Sequence, residues 1–198
     1  DVDGKSYSLA AIGNNVSTTT ITNTVNAHID HGVSVYADSV DVRAQGKSNA
    51  YATTYGGAGG LYAGASASAN TNVTNTINAY LAGNEDDVAA IWADENVTVY
   101  ALSDVIFNAK GASTGYGFIG NNGARVNNTV SSTAKAYIGK DADVKAGEDI
   151  LISALNHIMK ANIGANLSAS SGGFWGGPAG DSVTTITNTC LLYTSDAA

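Results

Sequence analysis

Residues 73–81 read VTNTINAYL, and the same stretch occurs in two other versions, ITNTVNAHI at 21–29 and VSSTAKAYI at 130–138. A fourth copy opens at 186–189 as ITNT and then changes character. In each full copy the apolar residues fall on every second position. Val25, Ala27 and Ile29 oppose Thr24, Asn26 and His28; Ile77, Ala79 and Leu81 oppose Thr76, Asn78 and Tyr80; Ala134, Ala136 and Ile138 oppose Thr133, Lys135 and Tyr137. A period of two is the signature of a strand with one face turned to a core.

Working outward, the copies define a long repeat. Ile21, Val73, Val130 and Ile186 are spaced by 52, 57 and 56 residues, and an independent marker, Val40, Val97 and Ile150, is spaced by 57 and 53. That second marker opens another alternating strand: Val40, Val42, Ala44; Val97, Val99, Ala101; Ile150, Ile152, Ala154. Shorter strands precede it at 35–37, 91–93 and 144–146. The rest of each repeat is made of small residues, as at 63–69 and 161–169, with glycine clusters at 56–60, 115–123 and 172–180. Small inward residues allow backbones to approach closely.

Composition limits the classes of function. A chain of 198 residues with 44% hydrophobic and 13% charged side chains has enough apolar material for a core. Its 23 glycines and single proline favour strands and turns over helices. The net charge of −8, with Arg43, Arg125 and the lysines scattered, leaves no basic footprint for a nucleic acid. No apolar run is long enough for a membrane-spanning helix, and no signal peptide stands at Asp1.

A sandwich, a transmembrane barrel and a parallel solenoid all contain alternating strands. The repeat favours the solenoid, because stacked coils need the same inward residues to recur, whereas a sandwich does not. A barrel would carry aromatic girdles at both ends of its strands, and the aromatics here are not so placed. The reading is therefore all-β, a right-handed parallel β-helix with about three coils of roughly 18 residues in each repeat. That makes about ten coils and a rod of roughly 48 Å over residues 1–189. Val88, Ile91 and Trp92 could suit a helical turn, but Ile91 and Ala93 match Val35 and Ala37, so a strand is expected there. Asn23, Asn75 and Asn188 share the parity of the core residues and are expected at bends, where asparagine bonds its neighbours' backbone.

The final nine residues, CLLYTSDAA, include the only cysteine, Cys190, and break the repeat. They resemble the translation of a transposase adapter used in sequencing libraries, found at the ends of metagenomic gene fragments. Residues 190–198 are therefore expected to be a non-native tail, unpaired, poorly packed or arbitrarily placed, beside a cysteine-free repeat fragment at 1–189 that is cut at both ends. Absence of cysteine is compatible with export to an oxidising space.

Signs of chemistry are sparse. Asp1-Val-Asp-Gly4 has the start of a calcium loop without the required glutamate, and Gly176–Asp181 lacks the spacing of a calcium-binding nonapeptide. His28 and His31 would need further ligands to hold a metal, and His157 lies in another repeat. Glu85, Asp86, Asp87, Asp141 and Asp143 occupy polar breaks and define no acid pair. No catalytic residue, cofactor or metal is expected. Five sequons occur, at Asn15, Asn72, Asn96, Asn127 and Asn166. Tyr62, Tyr116, Phe118, Phe174 and Trp175 lie within glycine blocks. An aromatic beside glycine either covers bare backbone of its own sheet, the favoured reading, or makes a weak stacking contact with a glycan.

The run TNTINAYL, the strands VTVYA and ILISA, the glycine- and alanine-rich blocks and the period near 55 resemble the repeat region of very large secreted bacterial exoproteins. These are the filamentous haemagglutinin-like and leukotoxin-like adhesins exported by type V routes, including two-partner secretion. The resemblance implies a structural stalk on the cell surface or in the medium, associated with adhesion and virulence. Implied partners are adjoining repeats, an outer-membrane transporter during export, and host-cell glycans or proteins. The competing readings are a carbohydrate-active β-helix enzyme, a polysaccharide lyase or glycosidase, and an outer-membrane barrel fragment.

Overall fold

The computed structural model describes residues 1–81, 88–140, 142–162 and 166–194. The strands are β1 (Val2–Tyr7), β2 (Ala10–Ile29), β3 (Ser34–Ala37), β4 (Val40–Gly59), β5 (Tyr62–Leu81), β6 (Ala89–Ala93), β7 (Val97–Tyr116), β8 (Ile119–Ile138), β9 (Ala142–Ala146), β10 (Ile150–Lys160), β11 (Leu167–Gly172) and β12 (Pro178–Thr194). They form three parallel sheets. Sheet A runs β1-β4-β7-β10 with β11 also on β7; sheet B runs β12-β8-β5-β2; sheet C runs β3-β6-β9. The chain visits sheets C, A and B in turn and then starts the next layer, which is a parallel β-solenoid. The expected strand at 91–93 lies within β6.

Register fixes the length of a coil, and here the sequence-based expectation is corrected. Val40 pairs with Val97, and Val97 with Ile150. Ile21 pairs with Val73, Val73 with Val130, and Val130 with Ile186. Each residue therefore sits directly beside its repeat equivalent, so one repeat is one coil rather than three. Two sides of the coil are strands of 20 residues, as in β4, β5, β7 and β8. The third side is the short strand of sheet C. Instead of a rod of ten coils the molecule is a broad blade, roughly 65 Å along each long strand and roughly 15 Å from the first to the fourth strand of sheet B.

The blade tapers because its inward residues shrink along each strand. Beside sheet C the core is large and aliphatic, with Val40, Val42, Ile77, Leu81, Ile91, Val97 and Val99 all buried. Midway, Phe107 packs with Ala50, Val73, Val105 and Val130. At the opposite end the core is Ala11, Ala58, Ala63 and Ala65. There sheets A and B nearly touch: a Cβ on Gly56 would lie 2.7 Å from the Ser66 carbonyl oxygen of the facing sheet. The small-residue blocks are thus strands in their own right, and their composition brings two backbones together.

Asn75 is not at a bend. It lies in the middle of β5, 1% exposed, with Asn23 and Ser132 as its register neighbours and Asn188 beyond Ser132. Inward polar residues from the two long sheets join in a seam that zigzags across the core. Ser48 donates to Asn75 Oδ1 (2.7 Å), and Asn75 Nδ2 donates to Ser103 Oγ (2.9 Å). The Ser103 and Ser132 hydroxyls are 2.7 Å apart, and Ser132 donates to Asn156 Oδ1 at 2.7 Å. Asn156 Nδ2 then donates to Asn188 Oδ1 and to the Thr189 carbonyl. Asn75 and Asn188 are bonded by side chains of the opposite sheet, which makes a bend unnecessary at those positions.

The C-terminal segment also departs from expectation. Cys190–Thr194 continue β12 in register with Ala134–Ile138, so the pairing does not stop at Thr189. The alternation of CLLYT explains this, since Cys190 and Leu192 take the inward places held by Ala134 and Ala136 one coil earlier. Residues 195–198 lie outside the described residues.

Candidate functional site

Each long strand of sheet A meets the following strand of sheet B at a two-residue turn on the thin edge of the blade. That edge gathers all five aromatics singled out from the sequence. Tyr62 opens β5, Tyr116 closes β7, Phe118 is in the turn between β7 and β8, Phe174 occupies the equivalent turn one coil on, and Trp175 bridges Ile119. The turns are bonded to one another: the Tyr62 N–H donates to the Leu9 carbonyl, that of Ile119 to Leu61, and that of Phe174 to Phe118. Leu9, Leu61, Phe118 and Phe174 consequently form one row along the apex. Phe118 and Phe174 stack at 5.7 Å, and Trp175 meets Phe174 edge-on at 5.9 Å. Gly176, in the same β11–β12 connection as Phe174, has φ 122, a conformation that suits glycine.

Phe174 is 76% exposed and Trp175 64%, so this row faces solvent. Tyr116 behaves differently from the turn residues. A Cβ on Gly172, its register neighbour, would lie 2.7 Å from the Tyr116 ring, and Tyr7 stands in the same relation to Gly59. These two rings cover bare glycine backbone of their own sheet, as expected for Tyr116.

On the outer face of sheet A, just inside that edge, runs a groove lined by Asp3, Lys5, Tyr7, Tyr55, Thr114 and Tyr116, where Gly57 contributes no side chain. Lys110 Nζ lies 5.6 Å from the Tyr55 ring centroid. Tyrosine rings with hydroxyl, ammonium and carboxylate groups at their rims can stack on a sugar and bond its hydroxyls. Tyr7 and Tyr55 were not evident from sequence. The only signal for them is glycine at the register-related positions 57 and 59, which leaves room above the sheet.

Charged groups elsewhere are dispersed and mostly paired. Asp104 faces Lys47 at 3.6 Å and His157 at 2.8 Å; Asp41 pairs with Arg43, Asp143 with Lys145, and Asp181 with Arg125. Asp3 and Gly4 belong to β1 rather than to a calcium loop. Glu85, Asp86, Asp87 and Asp141 lie outside the described residues. His28 stacks on Tyr80 and His31 pairs with Asp30. Among the described residues, no cluster of three or more His, Cys, Asp or Glu has the geometry of a metal site. Of the sequons, Asn72 stands exposed on sheet B. Asn15 donates to the Gly4 and Tyr55 carbonyls, Asn96 to Glu148, and Asn127 to Asn70, while Asn166 is buried.

His28 begins a second aromatic row, on sheet B near the thick edge. Tyr80 stacks on it at 4.8 Å, Tyr137 on Tyr80 at 5.0 Å, and Tyr193 on Tyr137 at 4.7 Å. Burial, and then the flanking phenols of Tyr193 and Tyr80, raise the Tyr137 pKa above its ordinary 10.0. As pH climbs past that ordinary value, the unfolded chain loses the proton first, so the stability present below it declines through the raised folded pKa. Tyr137→Phe is expected to keep the stack and soften this alkaline loss in pH-dependent denaturation curves. An unchanged alkaline profile would contradict it.

The fold and edge together define a class: a parallel β-solenoid of one long repeat per coil, with an aromatic thin edge and an adjoining tyrosine groove. Comparison with known proteins returns no match, whether to a protein family, to a curated protein or to a solved structure.

Proposed function

We propose that the chain is a structural segment of a large secreted or surface-exposed bacterial filamentous exoprotein of the adhesin type, with no catalytic role. The observation that supports this most is the continuity of the stack. Equivalent residues pair in register through successive coils, and β2 and β12 each pair on one side only. Such open strand edges can accept adjoining repeats of the same cross-section. One coil adds only about 4.8 Å of height but two faces of roughly 65 Å, so a segment of this kind supplies lateral surface more than reach. In this reading the thin edge and the tyrosine groove give weak contacts with host-cell glycans or proteins, and the parent filament passes through an outer-membrane transporter.

A polysaccharide panel tests the proposal, with binding and turnover both measured. The expected result is weak glycan binding that falls with Tyr7→Ala and Tyr116→Ala, and no turnover. Turnover abolished by replacing a single carboxylate would overturn the proposal in favour of a carbohydrate-active enzyme.

A further inference from the structure

We propose that the outer face of sheet B binds an ordered water lattice, that is, the surface of ice, through its array of threonine hydroxyls. Three adjacent outward columns cross the four strands in register. They are Thr20, Asn72, Thr129, Thr185; Thr22, Thr74, Ser131, Thr187; and Thr24, Thr76, Thr133, Thr189. None of these twelve side chains is charged, and among the described residues none has a protein hydrogen-bond partner for its side chain.

The outer face of sheet A shows that strand propensity alone does not produce such an array. Its columns are mixed: Arg43, Tyr100, Ser153; Gln45, Leu102, Leu155; Lys47, Asp104, His157. On sheet B ten of the twelve positions are threonine, with Asn72 and Ser131 the exceptions.

Beside the array, at the thick-edge end of that face, the strands stack with little relative rotation. Successive rings of the His28, Tyr80, Tyr137 and Tyr193 row keep their planes within 8°, 7° and 9° of each other. Strands twisted by the usual 20–25° or so per step would turn such rings progressively. Planarity matters because one hydroxyl gains almost nothing by exchanging liquid water for another water. An advantage for ice over liquid arises only when many hydroxyls are held beforehand at lattice positions. β-Branching restricts each threonine rotamer. The grid repeats at about 4.8 Å between strands and about 6.7 Å between alternate residues, similar to the oxygen repeats on a prism plane of ice. Each threonine methyl lies beside its hydroxyl and holds a water cage against the sheet.

This inference is independent of the proposed role as a filament segment. It is tested on the purified chain by thermal hysteresis and by adsorption of the fluorescently labelled protein to a single ice crystal. The expected result is a hysteresis gap with adsorption to defined planes, lost in Thr76→Tyr, within the array on the interior strand β5, and retained in Gln45→Tyr on sheet A. Circular dichroism checks that the variants fold; should Thr76→Tyr unfold, Thr22→Lys on the terminal strand β2 is expected to give the same loss. Hysteresis no greater than that of an equal mass of serum albumin, or full activity in a folded Thr76→Tyr or Thr22→Lys, would overturn the proposal.

Discussion

Replacing Asn75 by alanine is expected to destabilise the fold by about 3 kcal/mol, a cost set by the polar partners that it would strand. Asn75 is almost wholly buried, accepts from Ser48 and donates to Ser103. Alanine leaves both serine hydroxyls facing an apolar cavity. The Ser103 hydroxyl keeps Ser132 within 2.7 Å, but Ser48 has no other side-chain hydrogen bond among the described residues. The register position one coil on already carries serine, Ser132, and remains bonded to both Ser103 and Asn156. Asn75→Ser is therefore expected to cost less than Asn75→Ala. Urea denaturation of the three proteins measures the order directly; equal stability of Asn75→Ala and the parent would show that the seam contributes nothing.

The second large effect is expected at Phe107, the largest wholly buried side chain among the described residues. Its register neighbour in β4 is Ala50, so one aromatic ring fills width that the adjacent coil leaves open. Truncation to alanine would place two alanines side by side where the blade is still thick, in a cluster otherwise made by Val73, Val105 and Val130. The loss is expected to be about 3–5 kcal/mol, from lost transfer energy plus the cavity. Phe107→Leu should recover much of it. A midpoint for Phe107→Ala within error of the parent would mean that the sheets close over the gap.

Much of the fold was legible because inward positions contrast with outward ones. Val25, Ala27 and Ile29, and their equivalents at 77–81 and 134–138, pack on the core cluster as the alternation indicated. The match of Ile91 and Ala93 to Val35 and Ala37 is a true register pair in sheet C. The length of a coil was not legible, because spacing between equivalent residues is the same whether the chain turns once or three times between them. The deciding stretch is 63–70. Ala63, Ala65, Ala67 and Ala69 are buried, but they alternate with Gly64, Ser66, Ser68 and Asn70, which are nearly as small. Parity is present but small residues on both faces give little contrast in bulk or hydrophobicity, so a continuous strand looks like a break between strands.

The same reasoning explains the asparagines and the edge. Asn75 could be placed inward by parity, but its partners Ser48 and Ser103 belong to the opposite sheet. Only with 20-residue strands facing each other do those residues meet. Tyr62, Tyr116, Phe118, Phe174 and Trp175 were recognised as aromatics beside glycine, and they share an edge because every repeat turns at the same place. Tyr7 and Tyr55 join the groove through pairing of β1 with the far end of β4, a contact that the repeat markers do not report.

The account rests on one repeat forming one coil, and a distance between spin labels tests that most directly. Thr22 and Thr187 are outward, uncharged and equivalent, on the first and fourth strands of sheet B. With Cys190, the only cysteine of the chain, replaced by serine, labels at Thr22→Cys and Thr187→Cys report their separation by pulsed electron resonance. One coil per repeat places the two backbones three strand spacings apart, roughly 15 Å. Three coils per repeat would place them nine spacings apart, roughly 43 Å. A narrow distribution near the shorter distance, allowing for the label arms, is the predicted result, and a distribution centred on the longer one would contradict the account.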